Sequence, residues 1–258
     1  METLPSDNEA RMLNKVPEVT ILFWIIKIMA TTVGETAADF LSVDLKFGLV
    51  GTSCIMGALL LIFLFLQIRT RKYVPWVYWA TVVLISIVGT LVTDNLVDNF
   101  GVTLEATTIA FSVALLAIFI AWYASEKTLS IHTIYTTRRE LFYWAAILFT
   151  FALGTAAGDL AAEGLQLGYA TSALMFGAMI AIVTIAYYFL NANAVAAFWI
   201  AYILTRPFGA SFGDLLSQPL DKGGLGLGTV GTSLAFLLVI SAAICYLTFS
   251  RKKVPAKL

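Results

Sequence analysis

The chain has 258 residues, of which 60% are hydrophobic and 12% charged, and a mean hydropathy of +0.88. A soluble domain carries about 25% charged residues, so this chain cannot cover a water-facing surface; it reads as a membrane protein, and disordered, collagen-like and disulfide-stapled classes are excluded. Lys and Arg (16) balance Asp and Glu (16), leaving no excess positive charge for nucleic acid.

Residues 1–18 are polar, contain Pro5 and Pro17, and lack the basic-then-apolar order of a signal peptide; they predict a cytosolic arm. Eight apolar stretches follow near 19–41, 49–68, 75–97, 103–124, 141–161, 169–190, 195–216 and 225–249, each near the ~20 residues that a bilayer core requires. They form two membrane halves, 19–124 and 141–249, joined by a basic segment at 125–140 that predicts a solvated cytosolic linker. A basic tail, 250–258, ends the chain. Asn191 and Asn193 mark a tight turn between spans six and seven. Gly226, Gly228 and Gly231 imitate a dinucleotide fingerprint, but no strand precedes them, so GGLGLGTVGTS reads as an outer turn or the start of span eight. Cys54 and Cys245 fall in apolar runs and predict packed, inert thiols; with His132 the one histidine, no zinc constellation exists.

With the N-terminus inside, twelve of the sixteen basic residues are cytosolic: Arg11, Lys15, Arg69, Arg71, Lys72, Lys127, Arg138, Arg139, Arg251, Lys252, Lys253 and Lys257. This bias predicts that both termini face the cytosol. Asp44, Asp98, Glu105, Glu163 and Asp221 collect at the outer mouth instead.

The odd-numbered spans repeat one pattern. Trp24 leads to Gly34 and Asp39, Trp79 to Gly89 and Asp94, Trp144 to Gly154 and Asp159, and Trp199 to Gly209 and Asp214, always ten residues and then five more. A two-helix hairpin has been duplicated twice, and units with an even number of spans run parallel. The segments FWIIKIMATTVGETAADFL, YWATVVLISIVGTLVTDNL, YWAAILFTFALGTAAGDLAAE and FWIAYILTRPFGASFGDLL resemble a family of bacterial multi-pass membrane proteins of unknown function. That family is built from four tandem two-helix repeats, each with a tryptophan. The resemblance covers about 19–249 and implies a fold outline without an activity. The expected fold is all-α and polytopic: eight transmembrane helices as four parallel repeats, in the bacterial inner membrane.

At ~1.5 Å rise per residue, each glycine lies about 15 Å beyond its tryptophan and each aspartate about 22 Å. In a ~30 Å core the tryptophans then sit at the cytosolic interface, as anchors or packing residues, and the glycines reach the midplane. Gly34, Gly89, Gly154 and Gly209 open small-xxx-small patterns that favour close helix packing or mark helix breaks. Asp39, Asp94, Asp159 and Asp214 lie at one common depth, where an ionisable group costs at least ~2.5 kcal/mol. Helix-end capping and ion binding are the two roles open to them.

Lys27, Thr31, Glu35 and Asp39 are spaced by four, a polar stripe on one helix. The matching residues are Val82, Ser86, Thr90 and Asp94; Ile147, Phe151, Thr155 and Asp159; and Tyr202, Arg206, Ala210 and Asp214. Arg206 predicts an intramembrane ion pair with Glu35, and Lys27 a gating or ion-pairing charge. Pro207 predicts a kink that frees a carbonyl. Thr31, Ser86, Thr90 and Thr155 would line a polar pathway.

Carboxylates, hydroxyls and carbonyls are hard ligands that suit Mg²⁺, Ca²⁺ or Mn²⁺. The expectation is a proton-coupled exporter of a hard cation, with Glu35 and Asp39 holding the metal and exchanging protons. The partners are lipid, a cation and protons, with a homo-oligomer left open; no cofactor or nucleic acid is expected. A passive channel lined by the four aspartates and a membrane scaffold are the alternatives. No nucleophile–base–metal set suggests an enzyme.

Overall fold

A computed structural model describes residues 14–252; Arg11, Lys253 and Lys257, counted above among the cytosolic charges, lie outside the described residues. Eight long helices stand among those described: α1 (Ile21–Asp39), α2 (Gly48–Arg69), α3 (Pro75–Asp94), α4 (Leu104–Glu126), α5 (Thr137–Asp159), α6 (Tyr169–Phe189), α7 (Ala194–Ser217) and α8 (Thr229–Lys252). All eight include a span long and apolar enough to cross a membrane, so the chain is a multi-pass membrane protein. The helix bounds lie within four residues of the predicted spans. The early start of α5 has a local cause: Thr136 accepts a hydrogen bond from the amide of Arg139, so the charged TRRE segment is already helical.

Two classes of helix separate by composition. Gly, Ala and Thr let α1, α3, α5 and α7 pack closely, and 61–67% of their apolar windows is buried. The even-numbered helices are Leu, Ile, Val and Phe on nearly every side and are 17% buried, which is what a lipid-facing helix requires. The inner four form a ring in which α1 touches α3, α3 touches α5, α5 touches α7 and α7 touches α1. Each outer helix packs against the inner helix of the following repeat: α2 on α3, α4 on α5, α6 on α7, and α8 back on α1. Cys54 and Cys245 are exposed on outer helices and are therefore not the packed thiols expected from the sequence.

The motif glycines explain the ring. A Cβ on Gly34 would collide with Ser86, on Gly89 with Phe151, on Gly154 with Arg206, and on Gly209 with Thr31. In every case the obstacle lies three residues before the glycine of the next repeat, so one interface recurs four times around the ring. Close approach is the role of these glycines. The alternative expectation of a helix break fails, since all four inner helices run through them. Pro207 does not interrupt α7 either; it packs against Gly154 and Gly158 of α5.

The ends of the ring differ. Immediately after Asp39, Asp94 and Asp159, α1, α3 and α5 widen into π-helical turns at Phe40–Asp44, Asn95–Asn99 and Leu160–Gly164. Such turns commonly mark functional positions. Helix α7 keeps its α-helical pitch, and its terminus is closed by the glycine-rich segment instead. The amides of Leu225, Gly226, Leu227 and Gly228 return to the carbonyls of Leu215, Gln218, Leu216 and Ser217 at 2.7–3.2 Å. Gly223, Gly226 and Gly228 adopt the positive φ this fold-back requires. Both readings of the segment hold in part: Gly223–Gly228 form the turn, and Thr229–Ser233 begin α8.

The opposite end is packed shut. Trp79 is 0% exposed, Trp144 and Trp199 are 4% exposed, and Trp24 is half-buried. The first three are packing residues facing other rings; the interface-anchor reading fails for them because neighbouring repeats supply an aromatic surface. Tyr78 and Tyr143 meet through their hydroxyls at 2.5 Å, and Trp199 donates to the Leu129 carbonyl at 2.9 Å. The predicted linker is solvated on one side only: Lys127, His132 and residues 135–138 are exposed, whereas Ile131 and Ile134 are buried. Lys15 pairs with Glu140 at 2.6 Å and donates to the Ile68 carbonyl, while Gln67 donates to the same carboxylate.

Candidate cation site

The stripes of four-residue spacing stack as layers along the ring interior. At the acidic end Asp39, Asp94, Asp159 and Asp214 line a cavity of about 340 Å³, together with Glu35, Asp98, Glu163 and Gln218. All four motif aspartates thus share one water-accessible vestibule. The helix-capping role is not what holds them: the aspartates preceding the three π-turns make no side-chain cap. Asp39 accepts a long hydrogen bond of 3.4 Å from Gln218.

Carboxylate oxygens of Glu35, Asp159 and Asp214 lie within 4.8 Å of one another. The structure therefore groups Glu35 with Asp159 and Asp214, which the sequence spacing did not give, while Asp39 lines the same vestibule. The reason is ring geometry. Asp39 sits one turn along the same helix, whereas the longer Glu35 side chain reaches inward toward α5, opposite, and α7, adjacent. Asp94 lines the vestibule but stands outside the trio. Three carboxylates at this separation repel and favour a shared hard cation.

Beneath the trio lies the expected ion pair. The Arg206 Nη2 donates to Glu35 Oε2 at 2.9 Å, to the Thr155 hydroxyl at 2.7 Å and to the Thr90 hydroxyl, and Nη1 donates to the Thr31 carbonyl at 3.2 Å. One guanidinium, carried by α7, therefore ties α1, α3 and α5 at a single level. Arg206 is 0% exposed and Glu35 6%, so the guanidinium is shut off from water and Glu35 meets it only from the vestibule side. The predicted pathway residues Thr90 and Thr155 belong to this knot. Thr31 instead seals a helix contact, its hydroxyl reaching the carbonyls of Ile28 and Thr205. Ser86 presses on Gly34, its hydroxyl unpartnered among the described residues.

Lys27 is also fully buried, but it forms no ion pair among the described residues. Its ammonium sits 4.1 Å from the Phe151 ring centroid and 4.2 Å from that of Tyr202. Sequence reasoning gave those two rings no role, although both occupy stripe positions, and missed Gln218 at the vestibule. Glu163, expected at the outer mouth, lines the vestibule and continues the four-residue spacing beyond Asp159.

One family profile matches four tandem segments of the chain, 22–73, 77–128, 142–193 and 197–253, and is described as a Repeat of Unknown Function (DUF347). The matched segments begin in the inner helices and end at or just beyond the outer ones, so each is one helix pair. No curated protein and no solved structure matched the chain.

Proposed function

The chain belongs to the family built from this repeat of unknown function, and from that premise we propose that it is a proton-coupled transporter of a hard cation. The observation that carries the reading is the meeting of Glu35, Asp159 and Asp214 at the floor of an acid-lined vestibule. Oxygen-only ligands of net negative charge suit Mn²⁺, Mg²⁺ or Ca²⁺. The surrounding aspartates and Glu163 would concentrate such ions. In this reading the four inner helices run parallel, both termini are cytosolic, and the vestibule opens outward from the bacterial inner membrane, as the basic loops require. Export is the favoured direction because the acidic mouth then receives the released ion.

A passive channel fits less well. Two buried cations, Arg206 and Lys27, stand beneath the vestibule, and packed aromatic rings close the far end. A carrier that exposes its site to one side at a time accounts for a vestibule that opens at one end. Arg206 then serves as a tethered stand-in for the cargo, holding Glu35 until a cation displaces it.

Purified protein in liposomes containing a Mn²⁺-sensitive dye tests the reading. Wild type is expected to move Mn²⁺ under an imposed pH gradient, and Glu35→Gln or Asp159→Asn to stop it. Wild-type flux equal to that of empty liposomes would sink the proposal, and flux indifferent to the pH gradient would mean a channel.

A further inference from the structure

Lys27 is a buried charge that the cation site does not use and that, unlike Lys15, has no acidic partner among the described residues. Its Nζ has no hydrogen-bond partner among the described residues and rests on the faces of Phe151 and Tyr202. Among the described residues no acid on α1 or on a helix packed near Lys27 pairs with it. On α1 itself, Glu35 is held by Arg206. At the matching levels α3 offers Val82 and Ser86, α5 offers Ile147 and Phe151, and α7 offers Tyr202 and Arg206. The Arg206 guanidinium lies 5.8 Å from the same Phe151 ring and repels the ammonium. Between Thr229 and Phe249, α8 contributes only Cys245 and Tyr246 as titratable groups, both exposed.

An ammonium in this place is opposed by burial and by Arg206, and supported by two π faces. An amine can resolve that conflict by giving up its proton, which a guanidinium cannot. A second positive charge beside Arg206 also raises the electrostatic barrier to any cation moving along the ring interior.

Resting on the cation reading above, we propose that Lys27 is the counter-proton site of the exchange. Its Nζ lone pair takes up a proton when the cation leaves the Glu35–Asp159–Asp214 cluster, and the proton departs before the next cation passes. Cargo and proton then occupy separate sites on either side of Arg206, and their mutual repulsion enforces exchange instead of leak.

Three variants test this in liposomes that report Mn²⁺ and internal pH together. Lys27→Met keeps the length of the side chain and removes a buried charge, a change that cores tolerate. It is expected to lose both proton counterflux and the drive that a pH gradient exerts on Mn²⁺. Lys27→Arg, permanently charged, is expected to lose the same coupling. Phe151→Leu removes one supporting ring and is expected to shift the pH profile of exchange toward acid, because the ammonium is held less well. Lys27→Met movement that follows the pH gradient as wild type does would overturn the proposal, as would an unmoved profile in Phe151→Leu. A wild type that moves no Mn²⁺ would instead sink the cation reading first.

Discussion

Gly154 presents bare backbone where the Cβ and Cγ of Arg206 press against α5. The glycine that permits close helix packing is therefore also what lets the guanidinium enter the ring interior and reach Glu35, Thr90 and Thr155. Packing and the buried ion pair depend on one missing side chain.

Gly154→Ala is accordingly expected to destabilise the protein by about 1–3 kcal/mol, the usual cost of overpacking. Gly209→Ala should behave alike, since its Cβ would meet Thr31. Gly57→Ala on α2 meets nothing within 4 Å and should be neutral. Unfolding midpoints in detergent compare the three.

Breaking the central pair from one side leaves an unbalanced buried charge. Glu35→Gln is expected to cost about 3–5 kcal/mol. Adding Arg206→Met to it should recover much of that loss, because the stranded guanidinium is gone. A double-mutant cycle by denaturant unfolding reads the coupling; strictly additive losses would contradict it.

Within the vestibule, Asp159 and Asp214 should matter to cation binding more than Asp94. Titration calorimetry with Mn²⁺ is expected to show Asp159→Asn or Asp214→Asn weakening affinity at least about tenfold, or ~1.4 kcal/mol. Asp94→Asn should change it less, since Asp94 lies outside the close trio.

At the closed end, Glu140→Gln leaves Lys15 buried without its counter-charge. A loss of about 3–5 kcal/mol is expected, together with faster proteolysis near the 125–140 segment, which that pair helps to hold. Limited digestion followed by mass spectrometry locates the cleavage.

Much of this architecture was legible because duplication wrote it four times. The Trp–Gly–Asp spacing identified the inner helices, and Glu35 and Arg206, opposite in sign and one turn apart in the repeat frame, announced their pairing. The partner of Glu35 in the cation cluster was hidden: spacing along one helix favoured Asp39, while ring order brings in Asp159 and Asp214. The π-turns after Asp39, Asp94 and Asp159 leave no mark in composition. Arg138 and Arg139 mark the solvated side of the linker, while the anchoring of its other side by Ile131 and Ile134 leaves little trace in its charge. Depth left the tryptophans as interface anchors or packing residues, because it says nothing about which way a ring faces.

The interleaving of the outer helices means that no repeat is finished by its own sequence. Each lends its second helix to the next, and α8 completes the circuit by bracing α1. A fragment holding only two repeats would be left with one unbraced flank and one helix without a seat. Two such halves, made separately, carry mutually fitting edges and should find each other, so the covalent order of the chain is one of several ways to string the same closed circle.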